Sequence, residues 1–380
     1  MTPIYLDHAA TTPIHPDITA KYATLLGAIF GNPSSIHSYG REARKWLDSA
    51  RKTMAQSVNA EPSEIIFTSG GTEADNLAIF GTVTAMKNKG NHIITTNIEH
   101  HAVLNPCKQL ELDGFDVTFL EVDKNGRVHA EQVRAALTDQ TILVSIMFGN
   151  NEVGTIQPIK EIGKVVKNHQ AIFHTDAVQA YGLVPLDVEE LGVDLLSVSS
   201  HKLNGPKGVG FLYQRKGIDT SVQMYGGEQE RKRRAGTENV PAIVAFSDVV
   251  TIARNTMEEN GVKYKEFARK ITSIFDDQGL TYEVNAMESV KLPHILNVSF
   301  PGTDIESLLV NLDMEGICVS SGSACTAGSL EPSHVLTAMF GEGAPQLRNS
   351  VRFSFGLGLD DELIEKAAEK TAEIVSRLVK

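Results

Sequence analysis

The fold of this chain is decided by a stretch that reads Leu195-Leu196-Ser197-Val198-Ser199-Ser200-His201-Lys202-Leu203-Asn204-Gly205-Pro206-Lys207-Gly208. Its apolar start predicts a buried strand, and the Gly-Pro pair predicts a turn. Lys202 lies between the two. A lysine at the end of a buried strand can lose its proton through desolvation and act as a Schiff-base nucleophile, whereas most lysines beside turns are surface charges.

Similar apolar runs recur upstream, each of a length typical of a buried strand. They lie at 65–67, 92–94, 117–119, 142–144 and 172–174. Helix-length patterns accompany them. One places a set of apolar residues on one face before Pro62 stops it, namely Ala43, Trp46, Leu47, Ala50 and Met54. Strands that alternate with helices predict an α/β fold with a mostly parallel sheet between helices.

The pattern changes after Val240. A long helical stretch runs to about Asp276, and helical patterns also lie near 304–314, after Pro332 and over 363–378. Strand-like runs occur at 294–298, 317–319 and 351–353. The sequence therefore predicts a smaller α+β domain, with a boundary near residue 260.

The composition excludes several classes of protein. The 380 residues are 42% hydrophobic and 22% charged, which excludes disorder and coiled coil. The net charge of −12 disfavours broad nucleic-acid binding. The cysteines number only 3, an odd and sparse count that predicts a reducing compartment and no disulfide framework, and the lack of C-x-x-C spacing disfavours a structural zinc site. With no signal-like segment over 1–13 and no apolar run of membrane-spanning length, we expect a cytoplasmic protein that does not bind membranes.

A glycine-rich loop, Ser69-Gly70-Gly71-Thr72-Glu73, follows a predicted strand and opens a predicted helix. Glycines let backbone N–H groups approach a ligand, and a helix N-terminus favours a phosphate. The loop is neither G-x-G-x-x-G nor a Walker loop, so dinucleotide and ATP sites lack their fingerprints. The alternative is a helix start capped by Thr72 or Ser69.

Asp176 ends the strand run at 172–174, at the edge where open α/β sheets bind ligands. A buried carboxylate needs a cationic partner, and a protonated pyridinium nitrogen would serve; a helix cap is the alternative. Lys202 would supply an amine for an aldehyde, and the glycine-rich loop would bind a phosphate. These are the parts that pyridoxal 5′-phosphate requires.

Further candidates lie outside these motifs. His100 could stack on an aromatic ring and carry protons, or simply cap a helix. Arg352 has apolar neighbours and suits either a bidentate clamp on a carboxylate or a structural ion pair. Cys325 lies among glycines and small polar residues, which is typical of a reactive loop, whereas Cys107 and Cys318 are predicted to be structural.

With these motifs in place, the chain resembles the cysteine desulfurases of the NifS/IscS type, in the class V aminotransferase superfamily. The resemblance covers essentially the whole chain. It is carried by motifs at 5–13, 31–35, 71–73, 99–103, 150–155, 174–179, 199–202, 234–237, 320–326 and 351–353. It implies fold type I of the pyridoxal-phosphate enzymes: a large domain (15–260) with a mostly parallel seven-stranded sheet, and a small α+β domain (1–14 and 261–380) that carries the cysteine loop.

The resemblance also implies a role for each site residue. Lys202 would bind the cofactor covalently and move protons, His100 would stack on its ring, and Cys325 would take sulfur from L-cysteine as a persulfide, leaving L-alanine. The other cofactor contacts would be Gly71, Thr72, Asn151, Asp176, Gln179, Ser199, His201 and Thr237. Asn32 and Arg352 would bind the substrate carboxylate. No resident metal is expected, although Cys325 could transiently ligate a cluster during transfer.

The same resemblance implies partners and leaves rivals open. Thr237 would reach the phosphate of a neighbouring subunit, so a homodimer with shared sites is expected. The acceptor of sulfur would be a tRNA thiolase or an iron–sulfur scaffold, and the basic run at 228–234 is similar to that of Gram-positive desulfurases serving tRNA thiolation, or else is solvated charge. Selenocysteine lyase, a transaminase and a catalytically silent dimeric platform of the same fold are the alternatives.

Overall fold

A computed structural model describes residues 3–321 and 332–379. Its helices are α1 (Pro16–Ala28), α2 (Ser38–Ser57), α3 (Gly71–Met86), α4 (His101–Leu112), α5 (Ala130–Ala136), α6 (Ile159–Val166), α7 (Val188–Leu191), α8 (Gln229–Lys232), α9 (Val240–Asp277), α10 (Ile305–Met314), α11 (His334–Phe340) and α12 (Asp361–Leu378). Its strands are β1 (Ile4–Tyr5), β2 (Ile65–Thr68), β3 (His92–Thr96), β4 (Asp116–Leu120), β5 (Thr141–Ser145), β6 (Ile172–Asp176), β7 (Leu195–Ser199), β8 (Gly210–Gln214), β9 (Glu283–Val284), β10 (Ile295–Ser299), β11 (Ile317–Cys318) and β12 (Ser350–Ser354).

The largest sheet has 7 strands in the order β2-β8-β7-β6-β5-β3-β4. Only β8 runs antiparallel to its neighbours in this sheet. The predicted α/β architecture is therefore confirmed, and all the strands predicted from apolar runs before residue 200 are present. The sequence pattern does not single out β8, which follows the glycine-rich turn after Lys202.

Helix α2 shows why the apolar spacing was informative and where it failed. Four of its five predicted core residues are buried, from Ala43 to Met54. Trp46, however, stays 38% exposed, because it lies at the margin of the buried face. The helix ends at Ser57, before Pro62, as the sequence predicts.

Two smaller sheets account for the α+β part. Strands β12, β10 and β9 form an antiparallel sheet, and β1 pairs in parallel with β11. Helix α9 bridges the two parts, since Val250 packs into the core of the large sheet and Tyr264 into that of the small sheets. The predicted boundary near residue 260 falls inside this helix, and the division at that point stays a prediction.

The carboxyl ends of five large-sheet strands meet at one edge. β2 leads into the Gly70 turn, β3 into His100, β5 into Asn151, β6 ends at Asp176, and β7 leads into a 3₁₀ turn that holds Lys202. Parallel strands bring their carboxyl ends together, so residues far apart in sequence share one site. None of the helices within 3–321 and 332–379 combines the length and apolar character needed to cross a membrane.

Candidate active site

A cleft of about 280 Å³ opens at this edge of the large sheet. Ten of the residues predicted from the sequence line it: Gly71, Thr72, His100, Asn151, Asp176, Gln179, Ser199, His201, Lys202 and Arg352. The other lining residues are Ala9, Ala10, Asp75, Met147, Gly149 and Val178. We call this set the central cleft.

One end of the central cleft is the start of α3. The N-cap of this helix is Gly70, with φ 151°, and no side chain caps it. The alternative prediction, a cap by Thr72 or Ser69, is therefore wrong. The first N–H groups of an uncapped helix, together with the dipole, favour a phosphate. Ser199 Oγ lies beside Gly70, 3.5 Å from where a Cβ on that glycine would be.

Gly71 allows the helix start to approach the strand-end loop. A Cβ at Gly71 would lie 2.7 Å from Cγ2 of Val178, closer than side chains tolerate. Val178 follows Asp176 by two residues, so the same close contact joins the helix start to the buried carboxylate. Glycine is required here by space and not by a positive φ.

Asp176 is almost fully buried at the end of β6. Its Oδ1 accepts a hydrogen bond from the N–H of Val178 at 2.9 Å. The next helix begins only at Val188, so Asp176 does not cap a helix. Burial raises the pKa of Asp176 to about 6, and the Lys202 ammonium opposes that rise. The carboxylate is thus suited to face a cationic ring nitrogen.

The N-terminal segment positions the amine. Lys202 Nζ donates to the carbonyls of Ala9 at 2.5 Å and Ala10 at 2.8 Å. The Gln179 amide also donates to the Ala9 carbonyl, at 2.8 Å, and its Oε1 lies 3.3 Å from His294 Nε2. Lys202 and Gln179 therefore donate to the same backbone carbonyl, that of Ala9, which lines the central cleft.

Two histidines lie beside Lys202. His100 is the N-cap of α4, and its Nδ1 accepts from the N–H of Ala102 at 3.1 Å. Burial and the charge of Lys202 lower the pKa of His100 to about 4. The Nδ1 atom of His201 lies 3.2 Å from the hydroxyl oxygen of Thr11. Burial lowers the pKa of His201 to about 4. The expected helix cap at His100 is present, and the residue also lines the central cleft; stacking on a ring and proton transfer stay predictions.

Arg352 is the cation at the opposite side. It is 1% exposed, its Nη2 donates to Asp7 Oδ1 at 2.7 Å, and its Nη1 donates to the Asn151 carbonyl at 2.8 Å. Its Nε has no hydrogen-bond partner within the described part of the chain. The structural ion pair expected as an alternative is present, and a donor remains for a ligand.

The remaining predicted residues do not line the central cleft. Asn32 is exposed, with Oδ1 accepting from the N–H of Ser34, and Thr237 is exposed in the turn before α9. Cys325 lies outside the described residues. Cys107 is fully buried, as predicted, whereas Cys318 is only half-buried, because β11 pairs with a strand of two residues.

The basic run at 228–234 is solvated only in part: Arg231 and Lys232 are exposed, whereas Glu230 and Arg234 form ion pairs with the rest of the protein. Glu230 forms a buried bidentate ion pair with Arg51, at 2.6 and 2.7 Å. Arg234 forms another with Glu73, at 2.6 and 2.9 Å, directly beside the α3 start. Through Arg234, this segment contacts the start of α3, the helix that borders the central cleft.

Asp75 is the polar cleft residue that sequence reasoning missed. It follows Thr72 by three residues on α3, so helical spacing places both on one face. That spacing is the signal that could have found it.

The residues present fit pyridoxal 5′-phosphate. An uncapped helix start suits its phosphate, the buried Asp176 its ring nitrogen and Lys202 its aldehyde, while a donor of Arg352 remains for a carboxylate. Fold and site together define a pyridoxal-phosphate enzyme of fold type I. The chain belongs to the aminotransferase class-V family, which matches residues 4–366.

Relatives agree over the full length. A "Putative cysteine desulfurase IscS 1" of Bacillus subtilis is 58% identical and covers 100% of both chains. A solved "NIFS-like protein" has a TM-score of 0.92 and 36% identity, over 99% of this chain and 100% of that one. A structure titled "SspA in complex with cysteine" has a TM-score of 0.80 and 35% identity, over 92% and 98% of the two chains.

Proposed function

We propose that this protein is a cysteine desulfurase that passes sulfur to a protein acceptor. L-cysteine and the Cys325 thiol would become L-alanine and a Cys325 persulfide. In this step the C–S bond of the substrate breaks, an S–S bond forms, and the carbon gains a proton. The electron pair of the C–S bond stays with carbon, and the substrate sulfur becomes the outer sulfur of the persulfide. No external oxidant is therefore needed.

The observation that carries this proposal is the convergence of Lys202, Asp176, His100 and Arg352 on one cleft. When bound, pyridoxal 5′-phosphate supplies an aldehyde for the substrate amine and a ring that withdraws electrons from it. Asp176 would hold the ring nitrogen in its cationic form. The start of α3, with Ser199 and His201, would hold the phosphate.

The protein's own groups would then move the protons and orient the substrate. Lys202 would act at the Cα proton of cysteine, since an amine in this cleft can accept it. His100 has Nδ1 occupied by the Ala102 N–H, so its neutral form carries the proton on Nε2. Arg352 would bind the substrate carboxylate with its remaining donor, and Asn32 would help from a loop.

A persulfide carrier requires a free thiolate at Cys325, which fits a reducing compartment such as the cytoplasm. A tRNA thiolase or an iron–sulfur scaffold would receive the sulfur. Mixing the persulfide-loaded protein with each acceptor separately, with radiolabelled cysteine as the source, would identify the acceptor by the protein or RNA that becomes labelled.

The test of the activity is cysteine turnover by the wild type and by Cys325→Ala, with Cys107→Ala as the matched control. We expect alanine and, in the presence of reductant, sulfide in equal amounts from wild type and Cys107→Ala, and almost none from Cys325→Ala. Full sulfide production by Cys325→Ala would refute the persulfide route. Release of selenide from selenocysteine, with no sulfide from cysteine, would establish the lyase, and no turnover of either amino acid would establish a silent platform.

The homodimer is part of the proposal. Thr237 is exposed and does not line the central cleft of its own chain, so the phosphate that it is expected to contact would be that of a second copy. Large apolar side chains near Asn32 are exposed as well, with Phe30 at 68% and Ile36 at 90%. Such exposure is typical of an interface.

Subunit complementation would test the shared site. Lys202→Ala lacks the amine, and Thr237→Val lacks the hydroxyl that would reach the neighbouring phosphate. When the two variants are mixed, dissociated and allowed to dimerise again, each hybrid dimer should contain one intact site. Its activity should then reach up to about half of that of a wild-type dimer. Activity that never exceeds the sum of the two parents, with hybrid dimers present, would refute the shared site.

A further inference from the structure

A chain of buried polar groups runs beneath the central cleft from Asp75. Ser145, His174 and Ser197 are completely buried, and Asp75 is 1% exposed. His174 Nδ1 lies 2.8 Å from Ser145 Oγ, and its Nε2 lies 2.9 Å from Ser197 Oγ. Ser197 in turn is hydrogen-bonded to the Asp75 carboxyl. The proposed function does not use any of these four groups.

The hydrogen bonds that link these four groups can run in either of two directions. If Asp75 is ionised, Ser197 donates to it, His174 donates from Nε2, and Ser145 donates to Nδ1. If Asp75 holds a proton on the oxygen that faces Ser197, it donates to Ser197, Ser197 donates to Nε2, and His174 donates from Nδ1 to Ser145. In a neutral imidazole one nitrogen donates and the other accepts, so the direction of the hydrogen bond between Asp75 and Ser197 sets the direction of the other two.

The surroundings decide between the two directions. Oδ1 of Asp75 has no hydrogen-bond partner within the described ranges, and at 3.6 Å the Nε2 of His174 is too distant to be one. An ionised oxygen without a donor is costly at this depth. Burial, and then the charge of Asp176, raise the pKa of Asp75 well above its usual value.

We propose that Asp75 is a neutral carboxylic acid and a positioning residue: it polarises the Ser197–His174–Ser145 chain and leaves Asp176 as the single negative charge facing the ring nitrogen. Two adjacent carboxyls in a dry site share one charge, because like charges that close disfavour double ionisation. The cofactor ring would then face one carboxylate, that of Asp176, and the hydrogen-bonded groups from Asp75 to Ser145 would be neutral. The proposal rests on the proposed function only for the position of the ring nitrogen.

The experiment compares the wild-type holoenzyme with Asp75→Asn and Asp176→Asn. The asparagine at 75 keeps a donor for Ser197 and the neutral charge, so it should preserve cofactor affinity within about threefold; the asparagine at 176 removes the charge and should lower that affinity more than tenfold. The infrared difference spectrum between wild type and Asp75→Asn should contain the carbonyl band of a neutral carboxylic acid. Nitrogen NMR of labelled histidine, assigned with His174→Asn, should show His174 protonated on Nδ1.

A missing neutral-acid band, His174 protonated on Nε2, or a loss of cofactor affinity in Asp75→Asn as large as in Asp176→Asn would each overturn the proposal. These readouts report on Asp75 and His174 directly. They would stand even if the protein removed no sulfur from cysteine, so failure here and failure of the proposed function are distinguishable.

Discussion

His100 is both a helix cap and a lining residue of the central cleft. Its Nδ1 accepts the helix-start N–H of Ala102, which fixes the proton of the neutral ring on Nε2. Its pKa is lowered to about 4, chiefly by burial, so the ring is neutral throughout the physiological range. A histidine in this state offers a fixed donor to the cleft.

We predict that His100→Asn separates the two roles. Asparagine is a good N-cap, so the free energy of unfolding should change by less than about 1 kcal/mol. Loss of the ring should lower kcat for cysteine by about 10²–10⁴-fold. His15→Asn is the matched control, since His15 caps α1 through Nδ1 and the N–H of Asp17 but lies outside the central cleft. Equal kinetic losses in both variants would contradict this assignment.

Glu99 is a second residue whose charge state has a measurable consequence. It is fully buried, and its Oε1 accepts from Thr96 at 2.7 Å and from the N–H of Met147 at 2.9 Å. Burial raises its pKa to about 8. Because the folded pKa is above the unfolded one, the stabilisation is complete below about pH 4.5 and is lost as pH rises through 8.

We predict that Glu99→Gln becomes more stable relative to wild type as pH rises. Glutamine keeps the acceptor oxygen and cannot ionise, so the difference in unfolding free energy should shift in its favour by roughly 2–3 kcal/mol between pH 6 and pH 9. Denaturant unfolding of both proteins at several pH values measures it. The exposed Glu111→Gln should show no such trend, and a flat difference for Glu99→Gln would mean that Glu99 is ionised throughout.

At the residue level, sequence motifs predicted most of the central cleft but not its charge states. Lys202, Asp176 and His100 follow strand ends, which is visible in the sequence. Asp75 escaped notice because a carboxylate inside a helix has no distinctive local pattern. Its importance comes from Asp176, which lies on another element and faces it only after folding.

The start of α3 shows what an element contributes beyond its residues. Its N-terminal N–H groups are uncapped, and the ion pair between Arg234 and Glu73 holds the helix in place from outside. The close approach of Gly71 to Val178 brings the start of α3 against the loop that follows Asp176.

We predict that Gly71→Ala lowers cofactor affinity by about 5- to 150-fold. The added methyl would lie 2.7 Å from Val178 Cγ2, and such overpacking costs about 1–3 kcal/mol. Gly71→Ala combined with Val178→Ala removes the clash and should recover most of the affinity, measured by titration with pyridoxal 5′-phosphate. Gly261→Ala, in the interior of α9 with open space around it, should leave the affinity unchanged. Failure of the double variant to recover would place the defect in the backbone.

Elements were predictable where periodicity is strong. The long helix expected to end near Asp276 is α9, which ends at Asp277. Strand β8 was not singled out, because its pairing with β2 and β7 depends on partners distant in sequence. Helix α8 has left-handed residues at Glu230 and Arg231, and its conformation depends on the buried ion pair with Arg51, which no local pattern contains.

For the whole molecule, the N-terminal segment joins the two hydrophobic cores at the central cleft. Leu6 packs in the small-sheet core and Ala9 in the large-sheet core. Between them Asp7 binds Arg352, while the carbonyl of Ala9 holds Lys202.

We predict that Asp7→Ala destabilises the protein by about 3 kcal/mol, because it leaves the guanidinium of Arg352 buried without its counter-charge. Asp7→Asn, which keeps an acceptor oxygen, should lose less. Both should raise KM for cysteine, since Asp7 orients the proposed carboxylate donor. Asp48→Ala, which breaks the exposed pair of Asp48 and Arg44, is the control and should stay within about 1 kcal/mol of wild type. Denaturant unfolding and steady-state kinetics measure the two effects; equal stability losses at Asp7 and Asp48 would show that the pair at the cleft contributes no more than a surface contact.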